Sequence, residues 1–229
     1  MPSPLIVFTG TGTGIGKTFL AVATVKSWAR QGAEVVGYKP IESGVVNIEE
    51  TDGHLLDLAS TFHVKPSLPM VRLKAPKSPH VAAREEGVNI PLGSIADAIA
   101  DARYRHPATL VVEMPGGLFS PITEDELAVA FVERLRPTAV VLVAPDRLGV
   151  MHEVLATTEA ALSRGVEITH VVLSPVRDTD ASSGSNAREL RRFLGTTMIV
   201  DAAPWGDPSP HSADTLVESL SLRFPHTPH

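Results

Sequence analysis

The amino-acid sequence predicts a three-layer α/β/α fold with a mostly parallel central sheet. Three observations carry that prediction. Short segments that are apolar at every position recur along the chain, as at Leu5–Phe8 and Ala139–Ala144. Strands buried on both faces read this way. Between them lie longer segments with apolar residues at helical spacing, the alternation expected of strands joined by helical crossovers. A glycine-rich turn, Gly10 to Lys17, links the first strand to the first helix.

The elements follow in order. Leu5 to Phe8 is a strand ending at Thr9-Gly10. Phe19, Leu20, Val22, Ala23, Val25, Trp28 and Ala29 then keep a helical period, and Gly32 stops the run. Val35 to Lys39 is a second strand, closed by Pro40. Asp52 can cap a helix through Leu55, Leu56, Leu58 and Ala59, and Ser78 or Pro79 can start another through Val81, Ala82 and Ala83. Ser94 caps a third, carrying Ile95, Ala96, Ala98, Ile99 and Ala102. Leu110 to Val112 is a strand that ends at Glu113. A helix with Leu127, Ala130, Phe131 and Leu135 stops before Pro137. Ala139 to Ala144 is a strand closed by Pro145, and Val154 to Leu162 a helix followed by Gly165. Ile168 to Leu173 is a strand, Ala187 to Leu194 a helix, and Met198 to Val200 a last short strand. Val64 to Val88, rich in proline and lysine, reads as an excursion from the sheet.

Right-handed crossovers place the C-terminal ends of parallel strands on one edge, where such sheets bind ligands. Gly10–Lys17, Lys39–Gly44, Glu113–Pro121, Pro145–Met151 and Ser174–Gly184 all follow strands and are expected to gather there.

The 229 residues exceed an average domain but suit one large α/β unit, so 1–224 are assigned to a single domain and 225–229 to a flexible tail. Twenty Lys and Arg against 26 Asp and Glu give a net charge of −6, which argues against a general nucleic-acid binder. The absence of cysteine excludes a disulfide framework, a thiolate nucleophile and a thiolate metal site. The start MPSPLIVFTG lacks the pattern of a secretory signal, and no apolar run approaches the ~20 residues of a membrane span. A cytoplasmic, membrane-free protein is the expectation.

The strongest motif is Gly10-Thr11-Gly12-Thr13-Gly14-Ile15-Gly16-Lys17-Thr18. Its position between a strand and a helix is that of a phosphate-binding P-loop. Gly12, Thr13, Gly14, Ile15 and Gly16 would cradle phosphates through backbone N–H groups, helped by the helix N-terminus. Lys17 can reach the β and γ phosphates, and the Thr18 hydroxyl can ligate magnesium. The loop is a variant: a standard Walker pattern would place its first glycine at Thr11. It lacks the spacing of a dinucleotide fingerprint.

Three further residues stand on the ligand edge. Asp52 serves either as a helix cap or as a magnesium ligand, and Glu113 either as a solvated strand end or as a ligand, because hard oxygen donors suit that ion. Lys39 is either a surface cation or a second charge that, with Lys17, neutralises a transferring phosphoryl group. Asp125 and Asp146 are further loop acids open to a metal role. Gly116-Gly117 permits close approach of backbone to ligand.

Together the segments GTGTGIGKT from Gly10, YKPIESG from Tyr38, TDG from Thr51, SPHVAA from Ser78, VVEMPGGLFSP from Val111 and LGVMHEVLATTEA from Leu148 resemble dethiobiotin synthetases, over residues 5 to about 165. These are ATP-dependent carboxylases that close a ureido ring. The resemblance implies a P-loop nucleoside triphosphate hydrolase-like fold and a homodimer that binds 7,8-diaminononanoate, CO2 and MgATP. It implies that a substrate amine becomes a carbamate, that ATP phosphorylates it to a carbamic–phosphoric anhydride, and that the second amine closes the ring. Lys17 would serve the phosphates, Thr18, Asp52 and Glu113 magnesium, and Thr11 and Lys39, with Ser43, the carbamate. Gly116 and Gly117 would line the diamine channel. Leu148, Gly149, Val150 and His152 of the partner subunit would hold the substrate carboxylate, and backbone near Pro204 the base.

The chain departs from the family's pattern in three places. Glu-Gly-Ala-Gly-Gly is replaced by Glu113-Met114-Pro115-Gly116-Gly117. The Asn-His pair that commonly follows Leu-Gly is replaced by His152-Glu153, where Glu153 either repels the substrate carboxylate or points to solvent. The asparagine that normally ends the late strand is missing at Leu173-Ser174-Pro175, which leaves nucleotide preference open, and Asn186 opens a helix instead. Two other readings remain: a P-loop ligase for a different amine or carboxylate, and a non-enzymatic nucleotide-dependent switch.

Overall fold

The computed structural model describes residues 2–195, 198–201 and 213–223. Strand β1 (Leu5–Gly10) leads through the glycine-rich turn into α1 (Lys17–Arg30), then β2 (Val35–Tyr38), β3 (Ile41–Ser43), a 3-10 turn at Ile48–Glu50 and α2 (Asp52–Ala59). β4 (Val71–Leu73), α3 (Pro79–Glu86), α4 (Leu92–Arg105) and β5 (Thr109–Glu113) follow. The chain continues with α5 (Ala128–Leu135), β6 (Ala139–Pro145), α6 (Val150–Ser163), β7 (His170–Ser174), α7 (Asn186–Leu190), β8 (Met198–Asp201) and α8 (Asp214–Arg223).

Six strands form one parallel sheet in the order β2-β5-β1-β6-β7-β8. β1 is central: Phe8 pairs with Glu113 on one side and Gly10 with Val143 on the other. Alternate side chains feed opposite layers, as the pleat requires. Leu5 and Val7 join Leu110, Val112 and residues of α3 to α7 in one core cluster. Ile6 and Phe8 join Val111, Val141 and Val143 against α1 and α8 in the other, where Trp28, Leu20, Leu216 and Leu220 are buried. The predicted three-layer arrangement is therefore present.

Several local expectations change. β3 and β4 form a separate two-stranded parallel sheet, which places the 64–88 excursion outside the main sheet. α4 begins at Leu92 with Pro91 at the cap position, so Ser94 lies inside the helix rather than capping it. Proline tolerates a helix start because it has no N–H to leave unpaired. The cap of α2 is Thr51, whose Oγ1 accepts from the His54 N–H, and Asp52 is the first helical residue. α7 stops at Leu190, short of the expected Leu194, and Phe193 beyond it is largely exposed. Helix α8 has no counterpart among the expected elements. The predicted tail 225–229 and Pro204 lie outside the described residues.

Candidate functional site

The phosphate loop leaves β1 on the sheet's ligand edge and enters α1 at Lys17. Gly16 occupies the cap position at φ 89°, a left-handed conformation that glycine adopts without the Cβ clash. No side chain caps α1 and no acid sits in its first turn, so its first N–H groups face outward without an internal anion. The loop is pinned from three sides. The Thr11 N–H donates to the Val143 carbonyl (3.0 Å), the Leu118 N–H to the Gly10 carbonyl (2.9 Å), and the Ser174 hydroxyl to the Ile15 carbonyl (2.7 Å). Thr13 and Gly14 remain exposed at its crest.

Lys17 is buried and donates to the Gly12 carbonyl at 2.7 Å. Burial, with Lys39 nearby, lowers its pKa to about 8, against the opposing pull of Glu113 and Asp52. The ammonium therefore sits where an added anion is needed to offset its desolvation.

Lys39, the residue after β2, donates to Glu113 Oε1 at 2.9 Å and to Asp52 Oδ2 at 2.5 Å. Burial alone would lower its pKa, but these two carboxylates outweigh it and hold it above the usual lysine range. Glu113 ends β5 and is fully buried. Burial raises its pKa, opposed chiefly by Lys39. Its Oε1 also accepts from the Thr18 hydroxyl at 2.9 Å, which ties the end of β5 to the start of α1. Lys17, Thr18, Lys39, Asp52 and Glu113 are thus one interacting group. The reading of Lys39 as a surface cation and of Glu113 as a solvated strand end falls, because both are buried against each other.

The other expected residues divide. Ser43 ends β3, half-buried beside this group in sequence. Gly117 packs on the loop so closely that a Cβ there would stand 3.2 Å from the Gly10 carbonyl oxygen and 3.3 Å from the Thr11 backbone. A Cβ on Gly116 would lie 3.7 Å from Thr13 Oγ1. Met114 does not reach toward a substrate: its side chain is core, and its N–H donates to the Phe8 carbonyl. Val150 is likewise core, fully buried, with its N–H spent on the Arg147 carbonyl, so its side chain is not a substrate contact. Gly149 caps α6 in the left-handed region. Leu148 is 75% exposed and His152 is exposed beside it, while the Leu148 N–H donates to Asp180.

Asp146 holds loops rather than metal. Its carboxylate accepts from the Asn186 amide (2.7 Å) and the Gly184 N–H (2.6 Å). The Asn186 amide nitrogen is thereby engaged in bracing the loop. Asp125 lies exposed in the turn before α5.

Glu42, which the sequence left without a role, and Glu153, which it left between repelling the substrate carboxylate and pointing to solvent, both have a place in the site. Glu42 is buried on β3 and accepts from the Asp52 N–H (2.7 Å) and the Gly53 N–H (3.4 Å), which fixes the start of α2. Its position inside the YKPIESG segment was the available signal. Glu153 does not point to solvent: its Oε2 accepts from the Thr11 hydroxyl (3.1 Å) and its Oε1 from Arg147 (2.7 Å).

The AAA domain family matches residues 5–205. An ATP-dependent dethiobiotin synthetase of Rhodopirellula baltica is 33% identical over 211 residues, 85% of this chain and 82% of that protein. One from an Anaeromyxobacter species is 37% identical over 207 residues, 86% of this chain and 89% of that protein. This chain belongs to the dethiobiotin synthetase family. Its fold also resembles that in the MinC:MinD cell division protein complex of Aquifex aeolicus, at 11% identity and a TM-score of 0.58, covering 99% of this chain and 98% of that one. That likeness concerns the P-loop α/β/α architecture alone.

Magnesium, which the synthetase resemblance implies, can be tested against the donors. Among the described residues no group of three or more His, Asp or Glu side chains forms a metal site. The synthetase's own candidates are two acids and a hydroxyl. Glu113 Oε2 is buried without a hydrogen-bond partner, beside the Thr18 hydroxyl on Oε1. An unpaired buried carboxylate oxygen is costly unless something charged meets it, and a hard cation fits that position.

Proposed function

We propose that this chain is an active dethiobiotin synthetase, converting 7,8-diaminononanoate, CO2 and ATP to dethiobiotin, ADP and phosphate. The coarser class, a P-loop enzyme that uses ATP, rests on family membership and the loop. The observation that carries the finer reading is the second lysine. Lys39 is fixed by Glu113 and Asp52 beside Lys17. An acceptor that is itself an anion needs such a second cation as it approaches the phosphate.

In this reading one amine of the substrate adds to the carbon of CO2 and loses a proton, giving a carbamate. Lys39, Thr11 and Ser43 orient its oxygens. A carbamate oxygen bonds to the γ-phosphorus as the bond to ADP breaks, and Lys17 meets the charge on the transferring phosphoryl group. The second amine then attacks the carbamoyl carbon and loses a proton, the bond to phosphate breaks, and the ring closes. Thr18, Asp52 and Glu113 would hold magnesium, which when bound neutralises phosphate charge. Gly116 and Gly117 wall the diamine against the loop. No cysteine or histidine nucleophile is required, because the attacking groups are amines; the enzyme positions reactants and offsets charge. A homodimer would bring the partner subunit's α6 start, with exposed Leu148 and His152, to the substrate carboxylate.

The test is product formation by mass spectrometry with the diamine, bicarbonate, magnesium and, separately, ATP, CTP and GTP. Dethiobiotin in step with phosphate release supports the reading and ranks the nucleotides. Strong preference for ATP would end the idea of loose base specificity, which rests on Ser174 replacing the expected asparagine and being spent on the Ile15 carbonyl. Phosphate release without dethiobiotin would favour a ligase with another acceptor, the reading that Glu153 keeps open.

A further inference from the structure

Glu153 brings a carboxylate to the phosphate loop where the family pattern has a histidine. It sits in the first turn of α6, with its side chain 30% exposed. Arg147 holds Oε1 at 2.7 Å, which orients the group, and Oε2 accepts from the Thr11 hydroxyl at 3.1 Å. Thr11 is also the residue on which Gly117 packs, and Gly116 lies beside Thr13. Three segments distant in sequence therefore make one wall: Thr11 and Thr13, Gly116 and Gly117, and Glu153. The wall borders a loop built for phosphates. A carboxylate at such a border is repelled by a bound anion unless it meets a cation.

The site's two lysines face partners other than Glu153. Lys17 donates to the Gly12 carbonyl, and Lys39 pairs with Asp52 and Glu113. Arg147 serves the outer oxygen only. The inner oxygen has only a neutral hydroxyl as its donor, a partner that an ammonium can replace, since a charged donor adds charge–charge attraction to the hydrogen bond.

We propose that Glu153 is an amine-recognition residue: Oε2 takes a hydrogen from an ammonium group of the substrate at the Thr11–Gly117 wall, in place of the Thr11 hydroxyl, while Arg147 keeps Oε1. The proposal deepens the synthetase reading and rests on it, because the diamine carries the group that Glu153 would bind. The exchange has a consequence for Thr11. Its hydroxyl, released from Glu153, becomes free to donate to a carbamate oxygen, so amine and carbamate are recognised by one linked rearrangement.

Calorimetry on the full chain tests this, with 7,8-diaminononanoate and MgADP titrated separately into wild type, Glu153→Gln and Glu153→Asp. Glu153→Gln should weaken the diamine by about tenfold or more, the loss expected of one charge-assisted hydrogen bond. MgADP affinity should stay within about twofold of wild type, and Glu153→Asp should recover part of the diamine affinity. Equal weakening of both ligands would overturn the proposal and make Glu153 a brace for the loop. Unchanged or tighter diamine binding would also overturn it, the tighter case meaning that Glu153 repels the substrate carboxylate. A wild type that binds MgADP but no diamine would overturn the synthetase reading itself, and this one with it. A wild type that binds the diamine and a variant that binds it equally well sinks only the role of Glu153.

Discussion

Lys39→Met separates the buried ion pair from its surroundings. Lys39 and Glu113 have side chains 9% and 1% exposed and meet at 2.9 Å. Removing one member of a buried pair costs roughly 3–5 kcal/mol, because the other charge is left unpaired. The Asp52 contact adds little, about 0–1 kcal/mol, since that carboxylate is 39% exposed. Glu113 would keep only the Thr18 hydroxyl. A loss of about 3 kcal/mol at pH 8 follows, equivalent to roughly 6–12 °C in Tm for a chain of this size. The double variant Lys39→Met with Glu113→Gln should recover most of it, because no buried charge remains. Proton linkage adds a second signature. Burial raises the folded pKa of Glu113 above its ordinary value of 4.5. The folded state then binds more protons than the unfolded state above pH 4.5, so this group's contribution to stability improves as pH falls. Without Lys39 its pKa rises further, and the deficit of Lys39→Met should shrink on acidification. Urea unfolding of the nucleotide-free protein at pH 6 and pH 8, followed by circular dichroism, reads all four corners of the cycle. Single and double variants that add within about 0.5 kcal/mol would refute the coupling.

Lys17→Met should abolish turnover yet stabilise the nucleotide-free fold at pH 7, because the depression of its pKa from 10.5 to about 8 corresponds to a penalty of about 3 kcal/mol. Between those two values the unfolded state binds more protons, so the wild type gains stability as pH rises and the gap to Lys17→Met should close; a gap constant with pH contradicts this. Gly117→Ala places a methyl 3.2 Å from the Gly10 carbonyl oxygen, and backbone must shift. It should destabilise by about 1 kcal/mol and weaken ATP roughly fivefold, and equilibrium binding that matches wild type would show that the loop yields freely. Glu42→Ala removes the acceptor of the Asp52 and Gly53 N–H groups. The expected cost is about 1–2 kcal/mol by urea unfolding, with more magnesium needed for half-maximal activity; an unchanged magnesium dependence would mean that Asp52 holds its place without Glu42.

Legibility in the sequence followed the range of the interaction. β1, β5 and β6 were readable because each carries an unbroken apolar run, Leu5–Phe8, Leu110–Val112 and Ala139–Ala144, and burial on both faces leaves that mark locally. β3 and β4 were not, since three residues are too few to show a period. Ser94 misled because a serine beside an apolar run resembles a cap, while Pro91 three residues earlier already starts the helix. Met114 stood out in the sequence as a long residue where the family's pattern has a small one. The parallel register of β5 on β1 turns it into the core instead.

The nature of the loop, the alternation of strand and helix and the resulting layers were all written into short windows of the chain, where burial and turn chemistry act over a few residues. The working group was not. Lys39 and Glu113 are 74 positions apart, and Thr11 and Glu153 are 142 apart. They meet only because β2, β5, β1 and β6 lie side by side with their C-terminal ends on one edge. Strand order is a property of the whole packed sheet, and no local period encodes it. Whether Lys39 was a surface cation or the centre of a buried charge network, and whether Glu153 faced solvent or the phosphate loop, were therefore decided by tertiary structure alone.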